Sequence, residues 1–110
     1  MWLALGEETP DNGGLLLIPG SHQSRLERGR FDASMFLRTD LAQNNELIEA
    51  AIPAHLQAGD TLFFHCRTFH AAGQNSSENV KKSLVYTYHS AGNRAIPETR
   101  SDNHADILVS

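Results

Sequence analysis

The chain has 110 residues, 40% of them hydrophobic and 20% charged, with a net charge of −4. That is enough for one domain with one core, in a composition ordinary for a globular protein. The acidic balance, with no basic run beyond Lys81-Lys82, argues against a nucleic-acid partner, and no apolar stretch is long enough to span a bilayer.

Trp2 to Leu5 is a short apolar run that starts without a preceding turn, as though entered mid-strand. The cluster EETPDNGG follows, in which Asp11-Asn12-Gly13-Gly14 favours a tight reversal. Leu15 to Ile18 is a second apolar strand, stopped by Pro19-Gly20, and the two runs read as a β-hairpin. Asn12, Gly13, Pro19, Gly20, Ser21 and His22 belong to the turns of that unit. Gly13 and Gly20 read as backbone permissions, one for positive φ and one for close approach.

From Ser21 to about Asn45 the chain is polar and irregular, which predicts a long surface excursion with one helical turn. Arg25, Arg28, Arg30 and Arg38 lie on it, available to an acidic substrate or simply solvated. Glu46 to Ala51 suits a short helix or the start of a strand, and Pro53 points to an edge strand. After the Gly59-Asp60 turn, Thr61 to Cys66 and Phe69 to Ala72 read as strands. Ser83 to Tyr88 alternates as a half-buried strand should. Residues 91–110 have no clear period and read as a loosely attached tail beyond a domain of residues 1–90. Many short strands separated by turns predict a mainly β fold, a barrel or sandwich. The single cysteine, Cys66, excludes an internal disulfide and fits a reducing, cytoplasmic compartment.

Six histidines are many for this length, and two of them, His65 and His70, share the run GDTLFFHCRTFHAAGQN. Small residues Ala71, Ala72 and Gly73 leave room around His70, so a metal ligand and a hydrogen-bonded strand-end histidine both remain open. His65, read on the same strand face, suits the sheet better than a metal. His22 reads as exposed. Lys81 and Lys82 read as a solvated strand start, and Trp2 as a core aromatic.

The stretches WLALGEETPDNGGLLLIPGSH and GDTLFFHCRTFHAAGQNSSENVKKSLVYTYHS resemble the C-terminal half of the phytanoyl-CoA dioxygenase family. They cover about half of the chain in the family's order. The resemblance implies a partial double-stranded β-helix, the jelly-roll or cupin-like barrel, with a long loop after the first hairpin. It also implies a non-haem Fe(II)- and 2-oxoglutarate-dependent oxygenase hydroxylating a small aliphatic or acyl substrate. In such enzymes two histidines and a carboxylate hold Fe(II) on one face and leave the opposite face open. By resemblance His70 takes the place of the second iron histidine. Lys81, or Lys82 if the loop shifts by one, falls where the family has an arginine for the far carboxylate of 2-oxoglutarate. A lysine keeps the charge without the bidentate fork. Trp2 matches a tryptophan of the same pocket, Ala72 stands where a small hydroxyl residue is frequent, and Arg25, Arg28 and Arg30 lie where the substrate mouth is built.

The family's first histidine and its carboxylate form a His-x-Asp pair upstream of the position that Trp2 matches. The only such triplet here is His104-Ala105-Asp106, in the tail. The expectation is therefore the downstream portion of a longer reading frame, with strand edges free for self-association and iron binding by these residues alone doubtful. The alternative is a non-catalytic β module that binds a ligand or a partner chain.

Overall fold

Two three-stranded antiparallel sheets organise the computed structural model, which describes residues 1–109. The strands are β1 (Trp2–Ala4), β2 (Leu15–Leu17), β3 (Ile52–Pro53), β4 (Thr61–Leu62), β5 (His70–Ala72) and β6 (Ser83–Val85), with one short helix, α1 (Asn45–Glu49). One sheet has the order β4-β1-β6 and the other β3-β2-β5. The chain thus crosses between sheets after β1, β3, β4 and β5. The mainly β expectation holds, but no closed barrel forms among the described residues.

The predicted hairpin does not exist, because β1 and β2 are the central strands of different sheets. The turn residues spend their hydrogen bonds locally instead. Asn12 accepts from the Thr9 amide at 2.9 Å and donates to the Glu7 carbonyl at 2.8 Å, while the Gly14 amide donates to the Thr9 carbonyl at 2.9 Å. Side-chain bonds of this kind compete with a strand ladder. The segment coils into a link that delivers the chain to the second sheet. Gly13 and Gly20 both lie at positive φ, so the expected division of their roles fails, and close backbone approach is found at Gly13 and, more tightly, at Gly14, but not at Gly20.

The second sheet is registered by Leu16 opposite Pro53 and Ala71, and by Leu17 opposite Ile52 and His70. Pro53 does lie on an edge strand, where its missing N–H costs no ladder bond. The strands after Gly59 are shorter than their apolar runs suggested. Phe63 to Cys66 and Tyr86 to Tyr88 lie outside any strand, although Tyr86 still exchanges backbone bonds with Met1, at 3.0 Å and 2.7 Å.

The excursion after Ser21 is more ordered than its polar sequence implies. Three 3-10 turns, Ser21–Gln23, Arg28–Arg30 and Ala42–Asn44, punctuate it. Asn44 is fully buried and clasps the loop shut, donating to the carbonyls of Arg30 at 3.1 Å and Arg38 at 2.6 Å and accepting from Arg30 Nε at 2.5 Å.

The apolar core is thin. Ala4, Leu15 and Ile18 are the buried hydrophobic residues among those described, whereas Phe63, Val85, Tyr86 and Tyr88 stand exposed. The radius of gyration, 15.6 Å, exceeds the roughly 13 Å of a compact domain near this length. No helix among the described residues is long and apolar enough to cross a membrane.

Candidate functional site

Alternation along β1 and β6 sets the first half of the site. Ala4 faces Ser83 and Trp2 faces Val85 across the ladder, so Trp2 and Ser83 project to the same side of the sheet. Lys81, two residues before Ser83 in extended chain, projects there as well. The link after β1 then lays Glu8 over that face. Its position is fixed by paired backbone bonds with Leu56, at 2.8 Å and 3.1 Å.

Glu8 is fully buried, and its carboxylate is the hub of the cluster. Trp2 Nε1 donates to Oε1 at 2.9 Å and Ser83 Oγ donates to the same oxygen at 2.6 Å. Lys81 Nζ lies 3.5 Å from Oε2 and 3.3 Å from Ser83 Oγ, and 4.7 Å from the centre of the Trp2 ring. Burial alone pushes the carboxyl up. The hydrogen bonds from Ser83 and Trp2 and the Lys81 charge outweigh it, holding the group below the ordinary glutamate range. Nothing in the sequence marked Glu8, one of two adjacent glutamates in a turn. The one available hint was a second charge of opposite sign, Lys81, expected near Trp2.

His70 opens β5, opposite Leu17 in the other sheet. Ser21 Oγ accepts from the Phe69 amide at 2.8 Å and the Ile18 amide donates to the Phe69 carbonyl at 3.0 Å, which ties the strand start to the end of β2. The imidazole packs on Phe64 with ring centres 5.0 Å apart, and Nδ1 lies 2.9 Å from the Thr68 carbonyl oxygen. A carbonyl only accepts, so Nδ1 is the donor, and in the neutral ring Nε2 keeps a lone pair. This is how a metal-binding histidine is oriented. His65 is the opposite case. Its Nδ1 accepts from the Arg67 amide at 3.1 Å, and the residue is exposed in the segment between β4 and β5, not on a strand shared with His70. His22 stacks against it, ring centres 5.5 Å apart.

A depression of about 450 Å³ has walls that include Gly13, Ala72, Asn79, Val80 and Lys81, and of the Glu8 cluster and the histidines above only Lys81 lines it. Ala72 is two residues along β5 from His70, so both project to one side of the second sheet. Trp2 and Lys81 come together as the sequence suggested, but with Glu8 between them. Lys82 is exposed, and its carbonyl takes the Leu5 amide at 3.2 Å. The loop arginines stand apart from the cluster. Arg30 is bound to Asn44 and to the Gln43 carbonyl, Arg28 to the Phe31 carbonyl, and Arg25 is exposed. In the tail, Asp106 contacts His89 Nε2 at 3.0 Å, not His104.

Among the described residues, no three His, Cys, Asp or Glu side chains gather into a group able to hold a metal. Iron held by two imidazoles and a carboxylate therefore does not fit on these residues alone. They offer one prepared imidazole.

Residues 1–83 match the family described as phytanoyl-CoA dioxygenase (PhyH). Among curated relatives, the human peroxisomal phytanoyl-CoA dioxygenase is 27% identical over 93 residues, covering 82% of this chain and 28% of that protein. The dioxygenase olcK of Penicillium canescens is 32% identical over 106 residues, 96% of this chain and 28% of its own length. The dioxygenase aneA of Aspergillus aculeatus is 35% identical over 83 residues, 74% of this chain and 24% of its own. The chain spans just over a quarter of the length of the first two relatives. No solved structure gives a significant match. With the family match running from β1 to the first residue of β6, this chain belongs to the phytanoyl-CoA dioxygenase family.

Proposed function

We propose that this chain forms part of the double-stranded β-helix of an Fe(II)- and 2-oxoglutarate-dependent dioxygenase acting on a small aliphatic or acyl substrate. Its contribution to the metal is one ligand, His70 Nε2, and the other ligands come from polypeptide outside these residues. Lys81 and Trp2 form the wall that meets the far carboxylate of the cosubstrate. Arg25, exposed on the loop after Ser21, is the cation best placed to greet an acidic substrate, since Arg28 and Arg30 are engaged within the loop. The observation that carries this reading is the Nδ1 contact of His70 with a backbone carbonyl, together with the projection of His70 on the same side as Ala72, a wall residue of the Lys81 depression. The iron supplies the oxidising chemistry when bound. This chain orients one of its ligands and closes one side of the cavity.

The outer strands β3 and β5, and β4 and β6, carry the free edges where further strands of the barrel would add. In isolation the same edges are open to self-association. A titration with Co(II), an air-stable stand-in for Fe(II), followed by NMR tests the ligand role. Weak binding in the millimolar range, centred on His70 and abolished by His70→Ala, is the expected result. Binding that ignores the substitution would remove His70 from the site. Micromolar binding would show that the chain completes a metal site by itself.

A second reading, a non-catalytic β module, draws on the single prepared ligand and on Glu8, which already neutralises Lys81. It predicts no cobalt response at His70 at all.

A further inference from the structure

We infer that Glu8 sets the ligand specificity of the Lys81–Trp2 site by occupying it with a carboxylate of the protein's own. The inference deepens the reading of Lys81 as a cosubstrate anchor and rests on it for the identity of the competing ligand. An anion entering the depression would meet Lys81 at one wall. It would find that ammonium already beside a buried carboxylate, with Oε2 at 3.5 Å and a hydroxyl acceptor, Ser83 Oγ, at 3.3 Å.

Glu8 is not free to swing aside. Its side chain accepts from Trp2 at 2.9 Å and from Ser83 at 2.6 Å, and its backbone is bonded on both sides to Leu56. The pair has no net charge, so the site lacks the surplus positive charge that would draw a dicarboxylate. A second carboxylate at Lys81 would also stand within a few ångströms of a like charge in a setting of reduced dielectric. The lysine retains donor capacity beyond its two acceptors, so the site is disfavoured for anions, not blocked. Neutral or weakly anionic groups face no such penalty. Glu8 in this way weakens the hold of Lys81 on any incoming carboxylate, the far carboxylate of 2-oxoglutarate included, without abolishing it.

Glu8→Gln tests this, because the amide oxygen still accepts from Trp2 and Ser83 while the charge is gone. Two probes, 2-oxoglutarate and acetate, are titrated into the 15N-labelled protein, and the amides of Lys81 and Ser83 report binding. The expected result is binding of both probes at least about tenfold tighter in Glu8→Gln than in the unaltered protein, a gain lost in Glu8→Gln/Lys81→Met. Glu8→Leu, which replaces the buried ion by an apolar side chain of similar size, is the second neutral variant should the amide fail to fold. Equal or weaker binding of both probes in the neutral variants overturns the inference and makes Glu8 a residue that merely positions Lys81. Tighter acetate with no 2-oxoglutarate binding in any variant upholds the inference about Glu8 and instead rejects the cosubstrate reading.

Discussion

Lys81→Met is expected to destabilise the chain by about 2–3 kcal/mol, read from urea denaturation at neutral pH. Glu8 is fully buried, and the substitution leaves its charge without a counter-ion. Removing one partner of a buried pair typically costs about 3–5 kcal/mol. Here the figure is lower because the Lys81 side chain is 13% exposed, the separation is 3.5 Å, and Trp2 and Ser83 continue to donate to Glu8. The pH dependence follows from the lowered carboxyl pKa. A depressed acid contributes stability above its unfolded pKa and loses it as pH falls through the folded value, so the network weakens only at pH below the ordinary glutamate range. In Lys81→Met one of the lowering causes is gone, and the acid transition moves upward. A loss under about 0.5 kcal/mol would mean that the ion pair behaves as a screened surface contact.

Gly14→Ala is expected to cost a similar amount, about 2–3 kcal/mol, with a fall in Tm on the order of 10 °C. A Cβ at this position would stand 2.6 Å from the Thr9 carbonyl oxygen and 3.2 Å from the Thr9 nitrogen. Both are backbone atoms, and no flexible side chain is there to yield. Gly14 also donates to that carbonyl and accepts from the Gly73 amide, each at 2.9 Å. The clash therefore falls on the link that joins the two sheets and on the strand ending at Ala72. Thermal denaturation of the alanine variant measures it, and an unchanged Tm would show that the link relaxes freely.

What the sequence disclosed and what it concealed divide along a physical line. Local chemistry was readable. Pro53 marked an edge strand, Gly13 a positive φ, and the small residues after His70 the open strand end on which that imidazole sits. Pairing was not. Trp2–Ala4 and Leu15–Leu17 looked like consecutive arms of a hairpin, yet each is the centre of its own sheet, because partner choice depends on strands roughly fifty to eighty residues away. The apolar runs overstated strand length for the same reason: periodicity reports what a segment would bury, not whether a neighbour exists to receive it.

The candidate site shows the same division. His70, Lys81 and Trp2 were reached through motif and resemblance. Glu8 was not, since a buried glutamate in a turn is visible only once folding brings Trp2, Lys81 and Ser83 around it. His65 was drawn onto the strand of His70 by spacing alone, whereas a backbone amide at 3.1 Å from its Nδ1 fixes it in a turn. The loop arginines illustrate the limit of charge counting. Arg30 and Arg38 serve the loop's own architecture through Asn44 and Asp40, and their positive charges are locally committed.

The proposed ligand role of His70 turns on which of its ring nitrogens is left with a lone pair. Long-range proton–nitrogen NMR, recorded about two pH units above the ordinary histidine range, distinguishes the two tautomers of that ring. The predicted spectrum has a protonated Nδ1 and a bare Nε2, the reverse of what free histidine prefers in water. A protonated Nε2 would mean that the bond to Thr68 is absent and that His70 is not presented to a metal.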